Sequence, residues 1–265
     1  MNKKNKQSLV HFAHANGISA AAYKPMLDIL VGVDVLSIPK LGHNAKFPVD
    51  NNWKSLADEL IDYLEKQAKR PVIGVGHSLG ALVTFIAAQK RPDLFAAILL
   101  LEPPLVYGKL ATIFKIAKRV GQIDRITPAS KSKHRKVHWD NFPEAKRYFA
   151  SKRFYNSFEK NCFDAFAKSA VVTTGHGLDL AFRADVEVSI FRTTPDNLST
   201  YKTPLVMPGK IVIGRQSDAS ISRCIYPFAQ RYQLDVQVID GEHMFPLQQP
   251  DRTAALIQEF VNDSQ

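Results

Sequence analysis

A serine framed by a glycine two residues to either side, between an apolar run and a helix-like stretch, constrains this chain more than any other feature. The run is Pro71-Val72-Ile73-Gly74-Val75, the turn Gly76-His77-Ser78-Leu79-Gly80, and the stretch Ala81-Leu82-Val83-Thr84-Phe85-Ile86-Ala87-Ala88. In such a strand-turn-helix the glycines let strand and helix approach closely, and the serine takes a strained conformation that lifts its hydroxyl above the sheet. The Leu79 N–H opens the helix, where free amides and the helix dipole favour a developing negative charge. Ser78 is therefore a candidate nucleophile and the Leu79 amide a candidate oxyanion donor. Gly-x-Ser-x-Gly also arises by chance in ordinary turns, and it is the strand before and the helix after that give it weight here.

Strand-like and helical segments alternate along most of the chain, which predicts a parallel sheet with helices on both faces. Apolar segments near 8–13, 34–38, 71–76, 96–102, 209–214 and 234–239 supply six strands. Leu56, Leu60, Ile61 and Leu64 recur at helical spacing, with Asp58, Glu59, Asp62 and Glu65 expected to face outward. A chain of 265 residues, 45% of them hydrophobic, is long enough for one large core. The alternation stops between Leu105 and about Tyr201. The expected organisation is a core of residues 1–104 and 202–265 with a helical insertion over 105–201.

These features resemble the α/β-hydrolase superfamily over nearly the whole chain, in particular small bacterial serine hydrolases with a helical cap. Leu9-Val10-His11-Phe12-Ala13 runs into His14-Ala15-Asn16-Gly17, which resembles the family's His-Gly-x-Pro/Gly oxyanion loop with Ala15 in place of the first glycine. The resemblance makes the Asn16 N–H the second oxyanion donor and His14 a support for the loop. Strand-like Leu234–Ile239 leads to Asp240-Gly241-Glu242-His243, where the family carries its general base; His243 is favoured over the seven other histidines. Two residues compete for the triad acid. Asp218 ends Arg215-Gln216-Ser217-Asp218 after the penultimate strand and is preferred. Glu102 follows strand Ala96–Leu101 at a place where some relatives keep their acid. Phe47-Pro48-Val49-Asp50 with Trp53-Lys54-Ser55-Leu56-Ala57-Asp58 resembles a stretch of bacterial members, as does His176-Gly177-Leu178-Asp179-Leu180 with its continuation.

The resemblance implies acyl transfer to water through an acyl-enzyme on Ser78, with carboxylic esters the leading substrate class. Thioesters, lactones and carbon–carbon cleavage of diketones use the same triad. A relative that binds its ligand without hydrolysis is the alternative from another class. A serine at the elbow argues against dehalogenase or epoxide hydrolase chemistry, which uses aspartate there.

Net charge is +10, and residues 109–168 carry fifteen Lys/Arg against five Asp/Glu, so the rest of the chain, with twenty of each, is neutral. Aromatic residues interleave with these charges at helical spacing, which favours packing of the insertion or an acyl pocket over a nucleic-acid surface. A solvated face is the simplest reading of the charge. Attraction to an anionic substrate or an acidic membrane surface is the alternative. The basic N-terminus lacks a following apolar signal segment, and no run of about eighteen apolar residues occurs, so a cytoplasmic protein without an integral membrane segment is expected. Cys162 and Cys224 imply neither a disulfide framework nor a zinc site. No metal or cofactor is expected, no nucleic-acid partner either, and the oligomeric state stays open.

Overall fold

The computed structural model of the protein describes residues 7–217 and 219–265. Its strands are β1 Ser8–Ala13, β2 Val33–Leu36, β3 Val72–His77, β4 Phe95–Leu101, β5 His138–Trp139, β6 Val171–Thr174, β7 Gly177–Leu180, β8 Gly209–Gly214 and β9 Asp235–Ile239. The longer helices are α1 Lys54–Gln67, α2 Leu79–Lys90, α3 Lys109–Arg119, α4 Phe142–Ala150, α5 Lys160–Ser169, α6 Ala184–Arg192, α7 Ala219–Tyr232 and α8 Pro250–Asp263.

The six strands expected from the sequence form one sheet in the order β2-β1-β3-β4-β8-β9, every neighbouring pair parallel. Val72–His77 is buried along its whole length, as a central parallel strand covered on both faces must be. On one face Leu56 and Leu60 of α1, Leu82 and Phe85 of α2, and Phe228 and Tyr232 of α7 pack together. On the other face Ile257 and Phe260 of α8 join Phe12, Tyr23 and Met26. Helix α2 is buried from Leu79 through Ala88, which is why its sequence is apolar all round instead of striped.

One expectation about α1 fails. Glu59 does not face outward with Asp58, Asp62 and Glu65; it is buried, and its Oε2 accepts the Gly42 N–H at 2.8 Å. The turn at Gly42, with φ +86°, leaves that amide without a backbone partner in an apolar setting, and the carboxyl supplies the acceptor. Burial pushes the Glu59 carboxyl up to about 7.

The segment between β4 and β8 contains the expected helices and also a three-stranded antiparallel sheet, β5-β7-β6. These strands are two to four residues long, too short for alternation to be read in the sequence. The interleaved aromatics pack among themselves: Phe149 contacts Trp139, Tyr155 and Phe166, and Tyr155 stacks on Phe166 with ring centroids 4.5 Å apart. This cluster is continuous with the core on the α8 face of the sheet.

Candidate active site

Ser78 sits between β3 and α2 with φ 53° and ψ −116°, a conformation costly for any residue with a side chain. Its glycine neighbours are required by contact distances. A Cβ at Gly76 would meet the Gly80 carbonyl at 2.4 Å, and one at Gly80 would meet the Ala13 oxygen at 2.1 Å. The Ser78 N–H donates to the Leu101 carbonyl at 2.9 Å, tying the turn to the end of β4.

His243 Nε2 lies 3.1 Å from Ser78 Oγ. Burial holds the ring down at about 4, so it is neutral at physiological pH and able to accept the serine proton. With Nε2 the acceptor, Nδ1 carries the ring proton, and this buried nitrogen has no partner among the described residues.

The loop after β1 is pinned to the elbow by the Gly80 N–H, which donates to the His14 carbonyl at 3.1 Å. His14 braces that loop. Its Nε2 accepts the Leu41 N–H at 2.8 Å, so its Nδ1–H donates to the Ala15 carbonyl, also at 2.8 Å. Among the described residues neither the Asn16 nor the Leu79 N–H has an acceptor. Each of these adjoining loops thus has a backbone amide free to donate to an oxygen that enters the site.

Two further residues join these loops, and no local pattern around either of them marks the role. The Ala15 N–H donates to the Tyr23 hydroxyl at 3.4 Å, and the Tyr23 O–H donates to His77 Nδ1 at 2.7 Å. His77 Nε2–H then donates to the His243 carbonyl at 2.9 Å; since a carbonyl only accepts, the tautomer is set. Burial keeps His77 neutral, with its ring down at about 3, and pushes the Tyr23 phenol up. One chain of hydrogen bonds thus runs from the loop after β1 to the backbone of His243.

A buried ion pair lies behind the same loop. Asn16 Nδ2 donates to the Glu187 carbonyl at 3.1 Å, and a Cβ at Gly17 would stand 3.0 Å from the Glu187 carboxylate. That carboxylate accepts from Ser132 Oγ at 2.7 Å and pairs with Arg135, whose guanidinium also donates to the Tyr155 hydroxyl at 2.8 Å. The loop after β1 is therefore braced by residues of the segment between β4 and β8.

Of the two candidate acids, Asp218 lies outside the described residues. Glu102 is buried at the end of β4 with φ 50°, and its Oε2 accepts the Gly214 N–H at 2.6 Å. Its Oε1 has no partner among the described residues, and neither does His243 Nδ1, so those two atoms are not bonded to each other. The residues leading to Asp218 are clasped to the histidine loop. The Gln216 N–H donates to the Gly241 carbonyl at 3.0 Å, and the Gly241 N–H donates to Gln216 Oε1 at 2.6 Å. A Cβ at Gly214 would meet the Gly241 oxygen at 2.3 Å, so these turns touch at backbone level.

A family model described as the alpha/beta hydrolase family matches residues 12–256. The chain belongs to the alpha/beta hydrolase family. This alpha/beta hydrolase is 32% identical over 107 residues to a type I acyl-CoA thioesterase of Penicillium brevicompactum, a match covering 34% of the chain and 25% of that protein. It is 25% identical over 120 residues to the Homo sapiens monoglyceride lipase, covering 42% of the chain and 40% of the lipase. The chain thus spans well under half the length of these relatives. Among solved structures, an E-2-(acetamidomethylene)succinate hydrolase superposes with a TM-score of 0.76 at 19% identity, covering 96% of this alpha/beta hydrolase and 91% of that chain. That likeness is one of fold. Among the described residues, no helix is long and apolar enough to cross a membrane.

Proposed function

We propose that this alpha/beta hydrolase is a serine esterase that cleaves carboxylic esters through an acyl-enzyme on Ser78. The observation that carries the reading is the 3.1 Å approach of a neutral His243 Nε2 to the hydroxyl of a serine held in a strained elbow. His243 takes the Ser78 proton as the hydroxyl attacks the carbonyl, and the N–H groups of Asn16 and Leu79 receive the oxyanion. His243 then protonates the leaving alcohol, and water repeats the sequence on the acyl-enzyme. We assign Asp218 as the acid that holds the His243 tautomer. The clasp between Gln216 and Gly241, which holds the residues leading to Asp218 against the histidine loop, supports it, while the bond from Gly214 to Glu102 favours a structural role for that alternative. The segment 105–201 serves as the cap over the site, its Glu187 braced against the oxyanion loop.

Steady-state hydrolysis of nitrophenyl esters of rising chain length tests this reading. His243→Ala is expected to lower kcat by about 10⁴-fold or more, and Asp218→Asn by a similar factor, with Glu102→Gln far milder. Turnover that survives His243→Ala contradicts the assignment. Thioesters form the second reading, favoured by the local similarity to an acyl-CoA thioesterase and by the basic cap. On that reading salt raises KM for an anionic thioester and leaves KM for neutral esters unchanged.

A further inference from the structure

Helix α3 presents an apolar stripe to solvent. Ile113, Ile116 and Val120, the last just past the helix end, are 53%, 58% and 58% exposed. At helical spacing they project within an arc of about 60°, so they form one strip and not three scattered contacts. The side of the helix next to this strip is anchored: Phe114 and Ala117 pack with Val106 and Ile123. Lys118 Nζ donates to Asn51 Oδ1 at 2.9 Å and to the Thr194 carbonyl at 2.6 Å, and it pairs with Asp196 at 2.9 Å. The helix is thus fixed with its apolar strip outward.

Along the Lys115–Arg119 side of the helix opens a cleft of about 510 Å³ whose charged lining is Lys115, Lys118, Arg119, Arg192 and Asp196. Lys118 is taken by Asp196, and Arg192 by Asp124, to which it donates at 2.7 and 2.5 Å. Lys115 and Arg119, one turn apart, have no carboxylate partner among the described residues. Helix α3 itself contains no acidic residue.

We propose that α3 and this cleft dock the protein on an anionic phospholipid surface, with Lys115 and Arg119 on the lipid phosphates and Ile113, Ile116 and Val120 at the acyl boundary. Exposed apolar residues flanked by unpaired cations match the interface between headgroups and chains, where each group finds its preferred medium. A free phosphate in the cleft would leave the strip in water. A second copy of the chain would bring two like-charged insertions together, each with fifteen Lys/Arg and five Asp/Glu over residues 109–168. Docking of this kind needs no membrane-spanning helix and no catalytic step.

The test is co-sedimentation of the whole protein with phosphatidylcholine vesicles and with vesicles that also contain phosphatidylglycerol. Binding is expected only to the anionic vesicles and is expected to weaken with salt. Ile113→Ser with Ile116→Ser, and separately Lys115→Glu with Arg119→Glu, are each expected to reduce partitioning roughly tenfold or more, with circular dichroism and melting unchanged. Equal binding to both vesicle types, no binding, or wild-type binding by either double variant overturns the proposal. So does glycerol phosphate binding without vesicle binding, which assigns the cleft to a free anion. A dimer that dissociates in the isoleucine variant overturns it in favour of self-association. Every readout is independent of the reaction on Ser78.

Discussion

At the scale of single residues, the site depends on how closely backbones meet around Ser78. Gly80→Ala forces a methyl to within 2.1 Å of the Ala13 oxygen and is expected to cost about 3 kcal/mol of stability with loss of activity. Gly175→Ala, with nothing within 4 Å, is the matched control and is expected to leave the melting temperature nearly unchanged. This part of the site was legible in the sequence, because the elbow is a local steric solution that only glycine satisfies at both flanks. Tyr23 and His77 were not legible as a pair: the bond between them closes over 54 residues, and nothing local to either marks the other. The acid of the site is tested by pH. Burial holds His243 at about 4, and the acid proposed for this site, Asp218, would stabilise the imidazolium and raise that value. Asp218→Asn is therefore expected to move the acid limb of kcat/KM to lower pH, and Glu102→Gln to leave it in place. A limb unmoved by Asp218→Asn counts against the assignment.

At the scale of elements, α1 and α6 carry buried carboxylates for different reasons. On α1, the Glu59 carboxyl titrates at about 7 in the fold against an ordinary value near 4.5, so its burial cost grows as pH rises between those values. Glu59→Gln keeps an acceptor for the Gly42 N–H and cannot ionise. It is expected to raise the melting temperature at alkaline pH and to change little in acid, as thermal unfolding at several pH values would show. Helical periodicity placed Glu59 outside because the α1 pattern carries no trace of a loop amide in need of an acceptor. On α6, Glu187 is compensated by Arg135, and both side chains are buried. Arg135→Met leaves that carboxylate without its cation and is expected to destabilise the protein by about 3 kcal/mol, while adding Glu187→Gln recovers most of the loss. Denaturant melts of the single and double variants measure the difference. The inner strands were legible as largely apolar runs, and the edge strands β2 and β9 by valines alternating with polar residues. The three strands of the insertion escaped because their pairing, not their residue pattern, makes them strands.

At the scale of the whole molecule, the buried His11, His14 and His77 and the half-buried His243 set the acid limit. His11 and His77 are held at about 3, and His14 and His243 at about 4, chiefly by burial. Depressed histidines stabilise the fold fully above their unfolded value near 6.5, and this is lost as pH falls through that value, because the unfolded chain takes up protons the fold refuses. Each is expected to cost up to roughly 2 kcal/mol by about pH 5, and urea melts between neutral and acid pH should show stability falling steadily. The proposed function rests on one chemical statement, that Ser78 is an activated nucleophile. Treatment of the folded protein with a fluorophosphonate, followed by intact mass, tests it most directly. A single adduct on the wild type that is absent from Ser78→Ala is the predicted result; no adduct on the wild type, or an adduct that persists in Ser78→Ala, would contradict it.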